Sequence, residues 1–248
     1  MLHRLRRHPL AVSTSFRHSL VLTYAYPADL LRPVVPPGLT LDTFAGYGFL
    51  TIALVQATGL RPTCLPAVLG RDVFLCGYRI FTRRADGGSH RGLRVLHSLS
   101  DRRWMCWAGN LLTRYHYRLC RAELIERPGA LEWRVASAEA SLDVTVRLDD
   151  TPADLPEGSP FASPSEARRF AGPLPYTFDY EPETRSLVSI RGVRAGWNPR
   201  PVRVAVHSNT FLDRAPFRDA PPLLANAFYV HDLPYRWERG VLIPLEER

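Results

Sequence analysis

Lysine is absent from the sequence, so its count of 32 for Lys and Arg together consists entirely of arginine. Imine formation with a carbonyl substrate needs a side-chain amine, whereas a guanidinium stays protonated in water. Schiff-base catalysis by a lysine is therefore excluded. The arginines give a formal net charge of +8 and lie along the whole chain among Asp and Glu residues. Because neither a long basic block nor a nucleic-acid-binding motif occurs, we predict no nucleic-acid partner.

Several motifs of enzymes and metal proteins are also missing. The cysteines, at positions 64, 76, 106 and 120, form no C-x-x-C pair, which argues against a zinc ribbon or a dithiol redox site. The sequence has no G-x-S-x-G, G-x-x-x-x-G-K or G-x-G-x-x-G motif, so serine hydrolase, P-loop and dinucleotide-binding signatures are lacking. We predict reduced thiols, no metal and no cofactor. Cys106 as a nucleophile stays open as an alternative.

Long apolar runs are missing too, since none approaches the roughly 18 residues of a membrane span. The basic start, MLHRLRRHPLAVSTSF, leads into neither a sustained apolar segment nor a cleavage site. We therefore predict a cytoplasmic protein without a membrane partner. Residues 1–13 are expected to form a basic N-terminal tail whose RLRR run lies in solvent. Residues 14–243 are expected to form a single domain with a surface loop at about 148–165, because the strands predicted on both sides of this loop share one pattern.

Apolar and polar residues alternate over much of the chain, which is typical of half-buried β-strands. In ASLDVTVRL, residues 140–148, the leucines and valines share one face and the polar residues share the other. Comparable runs are separated by Pro and Gly. They occupy residues 19–26, 48–55, 73–81, 93–100, 115–124, 185–192, 202–208 and 226–232. So many strands predict a mainly β protein, built as a barrel or a sandwich.

Helices are predicted at three places. SPSEARRFAG, residues 163–172, begins with a capping box in which Ser163 is the N-cap and Glu166 the third helical residue. The other two helices are predicted at residues 101–112 and 27–35, and the prolines of VVPPG end the latter. The capped helix is interpreted as a connector.

The order of the motifs along the chain resembles that of a known family. The stretches are GYRIFTRR, RGLRVLHSLS, AGNLLTRYHYRL, LPYTFDYEPETRSLVSIRG and NAFYVHDLPYRWERG. They are similar to the YqjF-like family of uncharacterised conserved proteins, in the acetoacetate decarboxylase-like superfamily, over residues 14–243. The resemblance implies a mainly β (α+β) fold: a cone-shaped antiparallel β-barrel with a few short helices and a ligand site inside it.

The same resemblance separates this chain from the chemistry of the decarboxylase. Acetoacetate decarboxylase forms a Schiff base through a lysine of lowered pKa, and this chain has no lysine. The likeness of GNLLTRYHYR to the lysine-bearing segment puts Tyr117 and Arg118 on or near the positions of the paired lysines. Neither a phenol nor a guanidinium can form an imine.

The segment RYHY supplies most of the candidate site residues. Successive residues of a strand point to opposite faces, so Tyr115 and Tyr117 are expected on one face and His116 on the other. Two phenols facing the interior could donate hydrogen bonds to a carbonyl or an oxyanion. Alternatively, they are core aromatics with backbone partners. We predict Tyr115 and Tyr117 as catalytic residues, and His116 and Asn110 as substrate-binding residues.

Arg79 is predicted to hold a substrate carboxylate. In VFLCGYRIF, residues 73–81, both faces of the strand are apolar, so the guanidinium needs a partner inside the protein. An arginine can clamp a carboxylate with two hydrogen bonds. The structural alternative pairs Arg79 with an internal acid such as Glu139 or Asp143.

His97 is predicted as a third catalytic residue. It lies on the same predicted strand face as Leu93, Val95 and Leu99. If it faces the cavity beside Tyr117, the imidazole could move a proton on or off a substrate carbon. The alternative is a core histidine whose hydrogen bonds are satisfied within the protein.

Two hypotheses of function follow. The first is a lysine-free enzyme that performs proton transfer, cyclisation, dehydration or a decarboxylation without an imine on a small carboxylate or keto acid. The second is a non-catalytic module that binds or senses a small ligand on the same barrel. We favour the first, because a buried arginine and polar aromatics are retained. Both predict a small-molecule partner, and a homo-oligomer stays open.

Overall fold

The structure is a computed structural model that describes residues 2–87, 90–149, 153–172 and 174–245. Strands dominate it. They are β1 (Val12–Pro27), β2 (Leu39–Leu41), β3 (Tyr47–Pro62), β4 (Arg71–Arg84), β5 (Arg91–Ser100), β6 (Tyr117–Arg127), β7 (Ala130–Ser137), β8 (Ser141–Arg147), β9 (Tyr176–Glu181), β10 (Ser186–Arg194), β11 (Arg200–Pro201), β12 (Arg203–Asn209), β13 (Leu223–Trp237) and β14 (Val241–Pro244). The α-helices are α1 (Ala28–Leu31), α2 (Arg103–Leu112) and α3 (Pro164–Ala171). The predicted mainly β fold with a few short helices is confirmed.

Seven strands form a closed hydrogen-bonded ring in the order β5, β9, β10, β13, β1, β3, β4 and back to β5. Neighbours in the ring are antiparallel, except that β5 and β9 are parallel. The length of β1 helps this closure, since it pairs with β13 along one edge and with β3 along the other. Because side chains alternate along each strand, the ring has an inner and an outer face.

A second, antiparallel sheet consists of β6, β7, β8 and β12. It joins the ring where β6 pairs in parallel with β5. The largest hydrophobic core contains Trp133 and Val144 of this sheet together with Leu20, Leu54 and Tyr78 of the ring. Each fully buried side chain of this size stabilises the fold by roughly 1.5 to 3 kcal/mol. This packing uses the outer face of the ring strands and leaves the inner face for other contacts.

The helices connect and cover the strands. α3 begins as the capping box predicts, because the Ser163 hydroxyl accepts a hydrogen bond from the Glu166 backbone N–H at 3.1 Å. α2 contacts β5, β6 and a 3-10 turn at Leu2–Arg6. Across the described ranges of the chain, no helix combines the length and the apolar character needed to cross a bilayer.

Only part of the predicted basic tail lies in solvent: residues 4–6 are exposed, whereas Arg7 and His8 pack against the rest of the protein. Arg7 donates hydrogen bonds at 2.6 and 3.0 Å to Glu181, whose side chain is fully buried. This contact lowers the pKa of Glu181 to about 2. The backbone N–H of His8 donates to the carbonyl of Leu112 at 2.9 Å. A buried carboxylate requires a cationic partner, but a short basic run does not indicate which distant acid it will meet.

Candidate functional site

A cavity of about 260 Å³ lies inside the ring. All seven ring strands contribute to its lining, for example Ala53 from β3, Arg79 from β4 and Thr177 from β9. Residues of α2 and of the N-terminal segment complete the wall. Because most of the lining residues of each ring strand lie on one face, the cavity occupies the inner side of the ring.

The lining is largely apolar and aromatic. Nine aromatic residues contribute: Phe16, Phe81, Trp104, Tyr115, Tyr117, Trp197, Phe228, Tyr235 and Trp237. The cationic residues of the lining are Arg61, Arg79 and Arg194, and His8 is also present. None of the described residues that line the cavity is Asp or Glu. An apolar cavity with cationic groups and no carboxylate suits a ligand with an apolar body and a negative charge.

Arg79 reaches the cavity from β4 as the alternation predicts. Leu75 and Phe81, on its face, line the cavity with it, whereas Tyr78 and Ile80 pack in the large outer core. Gly77 leaves room for the guanidinium, because a Cβ there would lie 2.8 Å from Arg79 Nε and 2.9 Å from Nη2. The guanidinium thus lies along its own strand, over a position without a side chain.

Arg79 forms no ion pair with any described carboxylate, so the alternative that pairs it with Glu139 or Asp143 is corrected. Glu139 instead lies 2.9 Å from Arg118 Nε and 3.8 Å from Arg214 Nη1. Half-burial of an unpaired cation costs free energy that an anionic ligand would offset. The position of Arg79 therefore leaves its hydrogen-bond donors available to a ligand carboxylate.

Tyr115 and Tyr117 both line the cavity, and their ring centroids are 6.4 Å apart. They share a side as predicted, but not through a regular strand. β6 begins only at Tyr117, and His116 has a left-handed backbone with φ of 53°. His116 is exposed and lies outside the cavity lining. Its predicted contact with substrate is therefore not supported by its position.

Asn110 acts on Tyr117 rather than on the cavity. Its Nδ2 donates to the Tyr117 carbonyl at 2.9 Å, and its Oδ1 accepts from the Tyr117 N–H at 2.8 Å. These two hydrogen bonds hold the last turn of α2 against the first residue of β6. Gly109 allows the close approach, because a Cβ there would lie 2.3 Å from Tyr117 Cδ2. Asn110 lies outside the cavity lining, so the structure gives it a positioning role in place of the predicted substrate contact.

Burial controls the protonation of both phenols. It raises the pKa of Tyr117 to about 12, against the smaller opposing effect of the Arg79 charge. Burial also raises the pKa of Tyr115, and the negative charge of Asp179 adds to this effect. The buried Tyr115 hydroxyl has no hydrogen-bond partner among the described residues. Both side chains are protonated at neutral pH and can donate a hydrogen bond.

His97 points away from the cavity because of a β-bulge. Tyr78 pairs with His97 but Arg79 pairs with Val95, so Leu96 is an extra residue in β5. The bulge leaves Val95 on the cavity side and turns His97 towards the outer core. There the His97 ring stacks on Phe211 with centroids 5.8 Å apart, and its Nε2 lies 3.9 Å from Glu139. The predicted pairing of His97 with Tyr117 is therefore corrected.

Three cavity residues were not predicted as site residues. Tyr235 of β13 stacks on Phe16 with ring centroids 4.6 Å apart and lines the cavity together with Arg194. His8 is buried, and its Nδ1 has no hydrogen-bond partner in the described part of the chain. Burial lowers the pKa of His8. Strand alternation could have suggested Tyr235, but no local pattern marks His8.

The cysteines lie apart from the cavity lining, with the exception of Cys76. Cys106 lies outside the cavity lining, and burial raises the pKa of its thiol, which disfavours the reactive thiolate. All four cysteines are free. Within the ranges that the structure describes, no three His, Cys, Asp or Glu side chains are grouped as metal ligands would be.

A family model described as an uncharacterized conserved protein, DUF2071, matches residues 13–233. The chain belongs to the DUF2071 family. This membership confirms the resemblance to the YqjF-like proteins that the motif order indicates. A search of curated proteins gives no match for this DUF2071 chain.

Solved structures of similar fold are acetoacetate decarboxylase-like proteins. An acetoacetate decarboxylase-like enzyme from Sphingomonas wittichii RW1 has a TM-score of 0.64 and 14% identity, over 98% of this chain and 96% of that chain. Acetoacetate decarboxylase from Legionella pneumophila has a TM-score of 0.61 and 11% identity, over 95% and 88%. The enduracididine biosynthesis enzyme MppR, complexed with pyruvate, has a TM-score of 0.60 and 12% identity, over 94% and 90%. At such identities the likeness shows the DUF2071 protein's fold alone.

The Gly77→Ala variant is expected to weaken the binding of an organic acid about tenfold, which is about half the contribution of a strong charged hydrogen bond. The added methyl group would displace the flexible end of Arg79 and no backbone atom, so the protein should keep its melting temperature. Isothermal titration with an acid and with its neutral ester checks this. If the affinity for the acid is unchanged, the Arg79 guanidinium does not bind the ligand.

Proposed function

We propose that this DUF2071 protein binds a small organic acid inside the ring and catalyses acid-base chemistry on it without an imine. Arg79 holds the carboxylate, and the aromatic lining contacts the rest of the molecule. The proposal depends on one observation, the lack of an ion pair at Arg79. Its guanidinium lines an apolar cavity and has no carboxylate partner among the described residues, and a ligand carboxylate would offer it two charge-assisted hydrogen bonds.

For a keto acid, proton removal from the carbon beside the carbonyl is the reaction that the lining supports best. Tyr117, with a pKa of about 12, stays a phenol at neutral pH and donates to the keto oxygen as negative charge develops there. His8 takes the proton from carbon and returns it, so the step balances as a reversible enolisation. Burial lowers the pKa of His8 and keeps its imidazole unprotonated at neutral pH.

Keto acids are the first ligands to test. MppR is known in complex with pyruvate and with the condensation product of pyruvate and imidazole 4-carboxaldehyde. A fold similar to this one therefore accommodates a keto acid. Because the DUF2071 chain has no lysine, any reaction on such an acid must stabilise the enolate by hydrogen bonds and charge, not by an imine.

A non-catalytic binding or sensing module is the second candidate. Burial raises the pKa of both Tyr115 and Tyr117, so neither phenol can act as a base at neutral pH. The first candidate therefore depends on His8 for its base, and a cavity in which His8 does not reach the ligand carbon would only bind. A binding module would hold the same acid through Arg79 and leave its carbon-bound protons unexchanged. The two candidates thus share a ligand class and differ in turnover.

A thermal-shift screen of the purified protein tests the shared part of the proposal. The compounds are keto acids, hydroxy acids and aromatic acids, each with its neutral ester. A ligand present at 100 times its dissociation constant adds about 2.7 kcal/mol of apparent stability. We expect stabilisation by acids and not by esters. If esters stabilise the protein as well as acids do, the cavity does not select a carboxylate and the proposal fails.

A further inference from the structure

Three chain segments surround one side of the cavity, and we call them together the mouth surface: residues 2–11, 60–71 and 102–113. Their contacts make them continuous. The Thr63 N–H donates to the Ala11 carbonyl at 2.8 Å, and the His8 N–H donates to the Leu112 carbonyl at 2.9 Å. All three segments supply cavity lining. The mouth surface is thus one region of the fold, although its parts are distant in sequence.

Exposed apolar side chains are concentrated on the mouth surface. Nine large apolar residues of the described chain are exposed, and seven of them belong to these segments. The seven are Leu5, Leu10, Leu65, Val68, Leu69, Trp104 and Trp107. Leu10 and Trp104, 42% and 43% exposed, also line the cavity, so the cavity opens here. Apolar exposure concentrated in this way marks an interaction site.

The charge of the mouth surface has one sign. The three segments contain seven arginines and no Asp or Glu; the arginines are Arg4, Arg6, Arg7, Arg61, Arg71, Arg102 and Arg103. Within the described residues, Arg7 pairs with Glu181 and Arg102 with Asp101. Arg4, Arg6, Arg71 and Arg103 are exposed and belong to no ion pair with a described carboxylate. An excess of unpaired positive charge therefore lies among the exposed tryptophans and leucines.

We propose that the mouth surface docks onto an anionic membrane. Exposed Trp and Leu side chains enter the interface between headgroups and acyl chains, and arginines bind anionic headgroups. A second copy of this chain fits less well, because a twofold contact would bring the same unpaired arginines face to face. This proposal differs from the prediction of no membrane partner, because binding to a membrane surface needs no spanning segment.

Docking has a consequence for the cavity. Its opening between Leu10 and Trp104 would face the lipid, so a ligand acid with an apolar body could enter from the membrane side. This step alone rests on the proposed function, whereas docking itself needs no ligand. Vesicle binding therefore tests the mouth surface independently of acid binding.

The test is co-sedimentation of the full chain with vesicles of phosphatidylcholine alone or mixed with phosphatidylglycerol. We expect binding to the mixed vesicles only, weakened by added salt. Trp107→Ser with Val68→Ser should abolish it, since these side chains are 70% and 85% exposed. Arg103→Glu should lower the partition coefficient at least about fivefold, the effect of one arginine near an anionic surface.

The matched control variants carry the same types of substitution at exposed positions outside the mouth surface. Val241→Ser removes an apolar side chain that is 62% exposed outside the mouth surface, and Arg203→Glu reverses an exposed charge on β12. Both should bind vesicles as the unaltered protein does. No binding to mixed vesicles overturns the proposal, as does an equal loss in the controls. A dimer in sedimentation equilibrium that Trp107→Ser dissociates would assign the surface to a second copy instead.

Discussion

Replacing Arg79 by leucine is expected to weaken the binding of small organic acids about 10- to 150-fold, while the affinity for their neutral esters stays unchanged. This range corresponds to about 1.5 to 3 kcal/mol for hydrogen bonds to a charged group. The cavity keeps its aromatic walls in the variant, so it still contacts the apolar part of the ligand. Isothermal titration, or the loss of the thermal shift with acids, measures the effect.

The same variant separates a binding arginine from a structural one. Removing one partner of a buried ion pair typically costs 3 to 5 kcal/mol, because a charge is left buried without its partner. Arg79 has no such partner among the described carboxylates, so Arg79→Leu should unfold at the temperature of the unaltered protein. Arg203→Leu, at an exposed position of β12, serves as the control. A large loss of stability, or an equal loss of ester binding, would make Arg79 structural.

The Tyr117→Phe variant is expected to lose turnover by about 100- to 1,000-fold, the usual effect of removing one hydrogen-bond donor from an oxyanion. Its free energy of unfolding should change by no more than about 1.5 kcal/mol, because the ring that packs on Gly109 is retained. Turnover is measured as deuterium exchange at the carbon beside the carbonyl of a keto acid, by proton NMR in deuterated water. Tyr180→Phe, outside the cavity lining, is the control.

If Tyr117→Phe exchanges deuterium at the full rate, Tyr117 has no part in the mechanism. If the unaltered protein binds an acid but exchanges none of its protons, the binding module is favoured.

The pH dependence of stability adds a second readout. Tyr117 has a pKa of about 12 in the fold, above its ordinary value of about 10. Its hydrogen-bond donor is therefore intact below pH 10. Its contribution to stability is lost as pH rises from about 10 to about 12, because the unfolded chain ionises first.

Local patterns predicted a large part of this molecule. The alternation in VFLCGYRIF predicts Arg79 on one face of the strand and Tyr78 on the other. In β4, Arg79 lines the cavity and Tyr78 packs in the outer core. The capping box at Ser163 begins α3. Both features depend on residues a few positions apart, whose geometry the backbone sets by itself. The absence of lysine excluded an imine mechanism without reference to any structure.

Other features depend on contacts between distant segments. The bulge at Leu96 turns His97 out of the cavity. The adjacent apolar residues Val95 and Leu96 interrupt the alternation there, but the sequence alone does not indicate which residue lacks a partner in the neighbouring strand. His8 and Arg7 pack because Leu112 and Glu181 accept their hydrogen bonds. Whether Arg79 has an acid beside it depends on which strands close the ring.

The sequence by itself therefore determined the strand content, the facing of most strand residues and the exclusion of Schiff-base chemistry. Only the tertiary structure decided which side chains share the cavity, which cations have no partner, and that three apolar and basic segments meet at its opening. The physical reason is the range of the interactions. Alternation and capping act over a few bonds, whereas ring closure and charge pairing are set by the packing of residues that are far apart in the chain.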